Sequence, residues 1–215
     1  MRWRSPIVRF AGVFALVYGM LIVPWPGWSS AYGAYFRAVG RAFFTREDGK
    51  RIVRFEEART AGLGPLDTQI VLGNRELADA NGNGPATILG LDTRGVGWIP
   101  TALLVALVVA TPVSWRRRGR AFVVGLLAIH GMIVFALGVY IWNESHAASA
   151  LAFGPLSPFW RAIAGTLEET LVVQMGASVV FPVTIWAVCM FRRRDLMGIP
   201  KLFDPQPKAV VGSLR

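Results

Sequence analysis

Apolar residues in this chain fall into four long blocks separated by polar stretches of very different length. The blocks are "IVRFAGVFALVYGMLIVPW" (Ile7–Trp25), "GWIPTALLVALVVATPVSW" (Gly97–Trp115), "AFVVGLLAIHGMIVFALGVYIW" (Ala121–Trp142) and "TLVVQMGASVVFPVTIWAVCMF" (Thr170–Phe191). Each approaches the roughly 20 residues that a helix needs to cross about 30 Å of hydrocarbon. A helix satisfies its own backbone in lipid without strand partners, so the blocks are read as helices. The pattern predicts an integral membrane α-helical protein. Its expected form is a four-helix transmembrane bundle with a small extracytoplasmic β-rich domain between spans 1 and 2.

Between the first two blocks the periodicity changes twice. In "SSAYGAYFRAVGRAFF" (Ser29–Phe44), Tyr32, Tyr35, Phe36, Val39 and Phe43 recur at helical spacing, with Arg37 and Arg41 on another face. Two readings fit: an interfacial helix with arginines toward headgroups, or a helix packed on the outer domain. "RIVRFEE", "DTQIVLGN" and "ATILGLD" then read as short strands, the last two separated by the turn former "ADANGNGPA". A meander of about three or four strands is expected, too small to bury much core alone.

Charge sets the direction of the spans. Arg2, Arg4 and Arg9 begin the first block; Arg116, Arg117, Arg118 and Arg120 separate the second and third; Arg192, Arg193 and Arg194 follow the fourth. With four spans all three clusters share one side, and the positive-inside rule makes that side cytoplasmic. The expected protein is a multi-pass protein of the bacterial inner (plasma) membrane with both termini cytoplasmic. Its parts are an N-terminal transmembrane helix over 1–25, an extracytoplasmic amphipathic helix and β domain over 26–96, and three transmembrane helices over 97–191. An outer loop covers 143–169 and a basic cytoplasmic tail 192–215. The first block also has the basic start and small residues ("SSAYGA") of a cleavable signal peptide, but a retained anchor is expected.

Composition agrees with membrane residence: of 215 residues, 53% are hydrophobic and 17% charged, with mean hydropathy +0.45. The net charge of +10 with pI near 11.0 would ordinarily raise nucleic acid as a partner. Its concentration beside apolar blocks assigns it to topology instead, so no nucleic acid is expected. A single cysteine, Cys189, excludes an intrachain disulfide and a cysteine-based metal cluster.

Candidate chemistry is sparse. "LDTRGVGWIP" (Leu91–Pro100) places Arg94 and Trp98 at the outer end of the second block. Trp98, like Trp25, Trp115 and Trp142, suits a headgroup belt. Arg94 is read as binding an anionic lipid phosphate or pairing with Glu168 or Glu169, which also suit a helix N-terminus. His130 and Gln174, inside blocks three and four, are read as interhelical polar contacts. Cys189 reads as a buried, inert side chain, since His146 lies at the opposite end of the spans and nothing pairs with the thiol at motif spacing. Gly131, Gly138 and "GAS" (Gly176–Ser178) suit close helix approach, and Pro112 and Pro182 suit bends. Phosphate-loop, zinc, dinucleotide, nucleophile-elbow and haem motifs are absent, so no cofactor, metal or catalytic residue is assigned.

The segment "GWIPTALLVALVVATPVSWRRR", the β region before it and the "FRRRD" after the fourth block resemble small four-span bacterial membrane proteins of unknown activity. Some of these accompany exosortase systems. That resemblance implies an accessory membrane protein. It does not carry the exosortase activity, whose cysteine faces outward, over to Cys189. The expected function is a non-enzymatic membrane anchor, accessory or assembly subunit of a bacterial envelope complex. The bilayer and other membrane or envelope proteins are its expected partners, with homo-oligomers open. One alternative is a membrane enzyme acting at the outer face on lipid-linked or peptide substrates, through Arg94, His146, Glu168 and Glu169. The other is a subunit of an oligomeric transporter.

Overall fold

A computed structural model describes residues 6–23, 25–45, 50–58, 66–79, 84–170 and 175–191. The longest element is α4, Trp115–Ala147. At 1.5 Å per residue its 33 residues span about 50 Å. Among the described residues it is the one helix long and apolar enough to cross a membrane.

That finding corrects the expected four-span bundle. The other apolar helices are short: α1 (Pro6–Ile22, 17 residues), α3 (Ile99–Ala110, 12 residues) and α6 (Met175–Met190, 16 residues). The first two apolar blocks counted residues that the backbone does not spend on helix. In the second block a turn with π-type hydrogen bonding, Arg94–Trp98, precedes α3. Thr111 then leaves the helix with ψ 125°, because the proline after it disfavours helical geometry. What remains rises about 18 Å, short of the hydrocarbon thickness. α3 is also buried along most of its length, with Ala102, Leu104, Ala106 and Val108 at most 1% exposed. It is the central helix, packed by α1, α4 and α6. In the fourth block residues 171–174, and so Gln174, lie outside the described residues, as does the expected tail at 192–215.

The remaining elements gather at the C-terminal end of α4. Helix α2 (Trp28–Phe44) follows α1, and α5 (Pro158–Glu168) occupies the stretch expected as loop. The strands β1 (Arg51–Glu57), β2 (Thr68–Asn74) and β3 (Ala86–Leu91) form an antiparallel sheet in the order β1-β2-β3. Side chains alternate between faces along each strand. The register aligns Phe55 with Ile70 and Ile70 with Leu89, and all three are buried. Val53, Leu72 and Leu91 extend this inner face.

Helix α2 closes over it. Phe36 is buried, and Gly40 lies so near Phe55 that a Cβ there would sit 2.5 Å from the ring. Arg41 donates through Nε and Nη2 to the Phe55 carbonyl at 3.0 and 2.8 Å. Arg37 donates to the Asp67 carbonyl and the Thr68 hydroxyl, both at 3.4 Å. Of the two readings of this helix the packed one holds, and its arginines serve strand carbonyls instead of headgroups.

Candidate functional site

The stretch "LDTRGVGWIP" forms a collar around the end of α1. A helix leaves its last four carbonyls without intrahelical donors. In α1 each finds one. Gly19 accepts from the Val23 amide at 3.2 Å, Met20 from the Trp25 indole at 2.9 Å, Leu21 from the Trp98 indole at 2.9 Å and Ile22 from Arg94 Nη2 at 2.8 Å. Arg94 also places positive charge at the negative end of the helix dipole. It therefore has a partner different from the expected Glu168 or Glu169.

The rest of the collar follows from packing. The Asp92 carboxylate accepts from the Arg94 amide at 3.0 Å, closing an Asx turn. Thr93, 1% exposed, is held by Asp67, which accepts from its amide at 3.2 Å and its hydroxyl at 2.5 Å. Gly97 is required because a Cβ would collide with the Tyr32 hydroxyl. Tyr32 and Trp28 both stack edge-on against Trp98, with centroids 5.3 and 5.2 Å away. Burial, then the neighbouring Tyr35, pushes the Tyr32 phenol well above the ordinary tyrosine range. The 30 Å³ notch beside these groups is far too small for an organic ligand, so the collar is a structural joint.

A larger space lies on the same end of the molecule. A cleft of 590 Å³ opens between the last turn of α4, residues 148–157 and α5, lined by Asn143, His146, Ser149, Phe153 and Arg161 among others. Its floor is pinned to the sheet by two contacts. Leu151 is fully buried, and its carbonyl accepts from Asn74 of β2 at 2.7 Å. Arg51 of β1 lies 5.2 Å over the Phe153 ring. Ala152, with φ 50°, adopts a left-handed conformation that costs a non-glycine residue about 1 kcal/mol or more. Gly154, at φ 80°, turns the chain again at no such cost.

His146 Nδ1 contacts the Gly154 carbonyl at 2.9 Å, and its ring stands edge-on to Trp142. With Nδ1–H donated to a carbonyl, the neutral imidazole carries its lone pair on Nε2. Arg161 is exposed at the start of α5 and donates to the Leu156 carbonyl at 3.4 Å. The cleft thus assembles a guanidinium, an oriented imidazole, a hydroxyl and an amide, a set suited to an anionic or carbonyl-bearing group.

Glu168 is half-buried and accepts a hydrogen bond from the Asn143 amide, which places it behind the cleft wall. Glu169 is exposed at the C-terminal end of α5, not at a helix N-terminus. His130 contacts the Leu126 carbonyl of its own helix at 2.8 Å, while its ring meets Tyr35 of α2 at 6.0 Å. Its polar contact is therefore within α4, in place of the expected interhelical bond. Cys189 is half-buried and packs against the core. Among the described residues no cluster of His, Cys, Asp and Glu is placed to hold a metal ion.

Sequence reasoning missed Asp67, Asn74, Asn143 and Arg161. None has motif spacing to a partner, and each has its partner 25 or more residues away or a role defined by the cleft. No protein-family model, curated protein or solved structure matches this chain.

Proposed function

We propose that the protein is a non-enzymatic, membrane-resident accessory or assembly subunit of an envelope complex, with α4 as its crossing helix and the sheet as its presented head. The observation that carries this reading is a girdle of large apolar side chains on the outside of the helix group. Ile7 and Leu16 of α1 are 76% and 66% exposed, Leu127 of α4 71% and Val188 of α6 75%. Exposed apolar area of this extent marks a lipid or protein partner. The arginines at the N-terminal end of α4 assign that end to the cytoplasm, and the sheet and cleft then face outward. Arg41, Asp67 and Asn74 fasten the head to helices and loop through the bonds described above, so it is presented in a fixed orientation.

The test is affinity purification of the tagged chain from membranes in mild detergent, with identification of bound proteins by mass spectrometry. A stoichiometric envelope partner, lost when exposed residues of β3 such as Ile88 are changed to charged ones, is expected. A protein that stays in the aqueous fraction after cell lysis refutes the reading.

The second reading is an enzyme acting at the outer face. It is favoured by the His146–Gly154 bond, which leaves an imidazole nitrogen as base beside Ser149 and Arg161. His146→Ala that abolishes a cellular phenotype while leaving partner capture intact would favour this reading over the first.

A further inference from the structure

At the opposite end of the helix group, a second groove of 450 Å³ lies between the start of α1, the α3–α4 turn and the end of α6. Its walls are Phe10, Pro112, Val113, Trp186, Met190 and Phe191 among others, and its charged lining residue is Arg117. The volume falls in the range of small-molecule sites, about 300–1,000 Å³. Its walls are almost wholly carbon, so its occupant must present an apolar body.

The rim says what the other end of that occupant carries. Arg116, Arg117 and Arg120 lie within one turn of α4, at spacings that bring them to adjoining faces. Arg116 and Arg120 are exposed. Arg117 donates to the Met190 carbonyl and Arg118 to the Thr111 carbonyl. The first bond fixes the Arg117 guanidinium in the groove wall, and the exposed Arg116 and Arg120 extend the positive charge along the same end of α4. Trp115, 79% exposed, stands at the same level, where an indole suits the boundary between hydrocarbon and water. An apolar trough opening onto a dense cationic rim is complementary to a molecule with an acyl chain and a phosphate.

We propose that this groove binds an anionic phospholipid of the cytoplasmic leaflet, its acyl chain along Phe10, Val113 and Trp186 and its phosphate on the exposed Arg116 and Arg120. The proposal rests on the membrane reading above and adds a specific lipid site to it. Basic residues between helices at the cytoplasmic face are the physical means by which anionic headgroups are selected. Guanidinium groups also bind phosphate by paired hydrogen bonds, which a zwitterionic headgroup competes for less well.

Trp186 supplies the readout. The full chain is reconstituted into vesicles of phosphatidylcholine containing either brominated phosphatidylglycerol or brominated phosphatidylcholine, and tryptophan quenching is followed against brominated-lipid fraction. We expect half-maximal quenching of the groove signal at an about fivefold or greater lower fraction of the anionic lipid. Arg116→Gln with Arg120→Gln should bring the two curves together, and in a Trp115→Phe background Trp186→Phe should remove the differential signal. Equal quenching by the two lipids overturns the proposal, as does a preference that survives loss of both Trp115 and Trp186. Flotation of the same samples separates the two failures. A protein that floats without preference refutes the lipid site alone, whereas one that does not float with either vesicle refutes the membrane reading and the site together.

Discussion

Arg94 Nη2 donates to the Ile22 carbonyl across 2.8 Å and 72 positions of sequence. It completes the four-carbonyl account at the end of α1, in which every acceptor has a named donor. A related device recurs at the other end of the molecule, where Arg118 donates to the Thr111 carbonyl just past α3 and Arg117 to the last carbonyl of α6. Arginines that mark orientation in the sequence therefore also cap helix C-termini, where orphan carbonyls and the helix dipole both favour a cation.

Arg94→Ala should lower stability by about 0.5–1.5 kcal/mol, since Arg94 is exposed and one hydrogen bond is lost. Glu168→Gln should add to it without coupling, because Glu168 is bonded to Asn143 and not to Arg94. A thermal-unfolding double-mutant cycle in detergent checks this. A coupling energy above about 0.5 kcal/mol would contradict the observed partners.

Asp67 and Thr93 should couple strongly. A carboxylate accepting two bonds from one residue is worth about 1.5–3 kcal/mol per charged bond. Asp67→Ala and Thr93→Val should each destabilise, and the double variant should cost little more than the worse single one. Denaturation midpoints of the four species provide the measurement.

Asn74→Ala removes the bond given to the Leu151 carbonyl and the one accepted from the Glu76 amide, at a cost of about 1–3 kcal/mol. Hydrogen exchange should accelerate both in β2 and around residues 149–152, on opposite sides of the lost bond to Leu151. Acceleration confined to β2 would show that the sheet does not hold the cleft floor.

Gly40→Ala should destabilise by about 1–3 kcal/mol, because its Cβ would enter the Phe55 ring. Phe55→Leu in the same chain should recover part of that loss even though Phe55→Leu alone is destabilising. Absence of recovery would place the clash elsewhere.

Tyr32 makes stability fall at high pH. Its folded-state pKa is raised, chiefly by burial. The stabilisation is therefore complete below the unfolded tyrosine value near 10 and is lost as pH rises above it. Tyr32→Phe should remove that tyrosine's share of the loss, so its melting temperature should decline less steeply between about pH 10 and 11 than that of the parent protein. Parallel decline in both proteins would refute the assignment.

Periodicity in the sequence by itself determined where apolar and alternating segments lie. Residues 121–142 were legible as a continuous apolar helix, and the strands as short apolar, β-branched runs bounded by turn formers. Tertiary structure alone decided which helix lies at the centre and what the polar residues do. Pro112 ends α3 after 12 residues, and only packing reveals that this helix is the buried centre. Arg94, Trp98 and Trp25 carry no mark of their partners, because a carbonyl left open at a helix end is a property of the fold and not of any residue type. Asn74 and Leu151 are 77 positions apart, and hydrogen bonding over such distances is set by which surfaces meet, which no local pattern encodes.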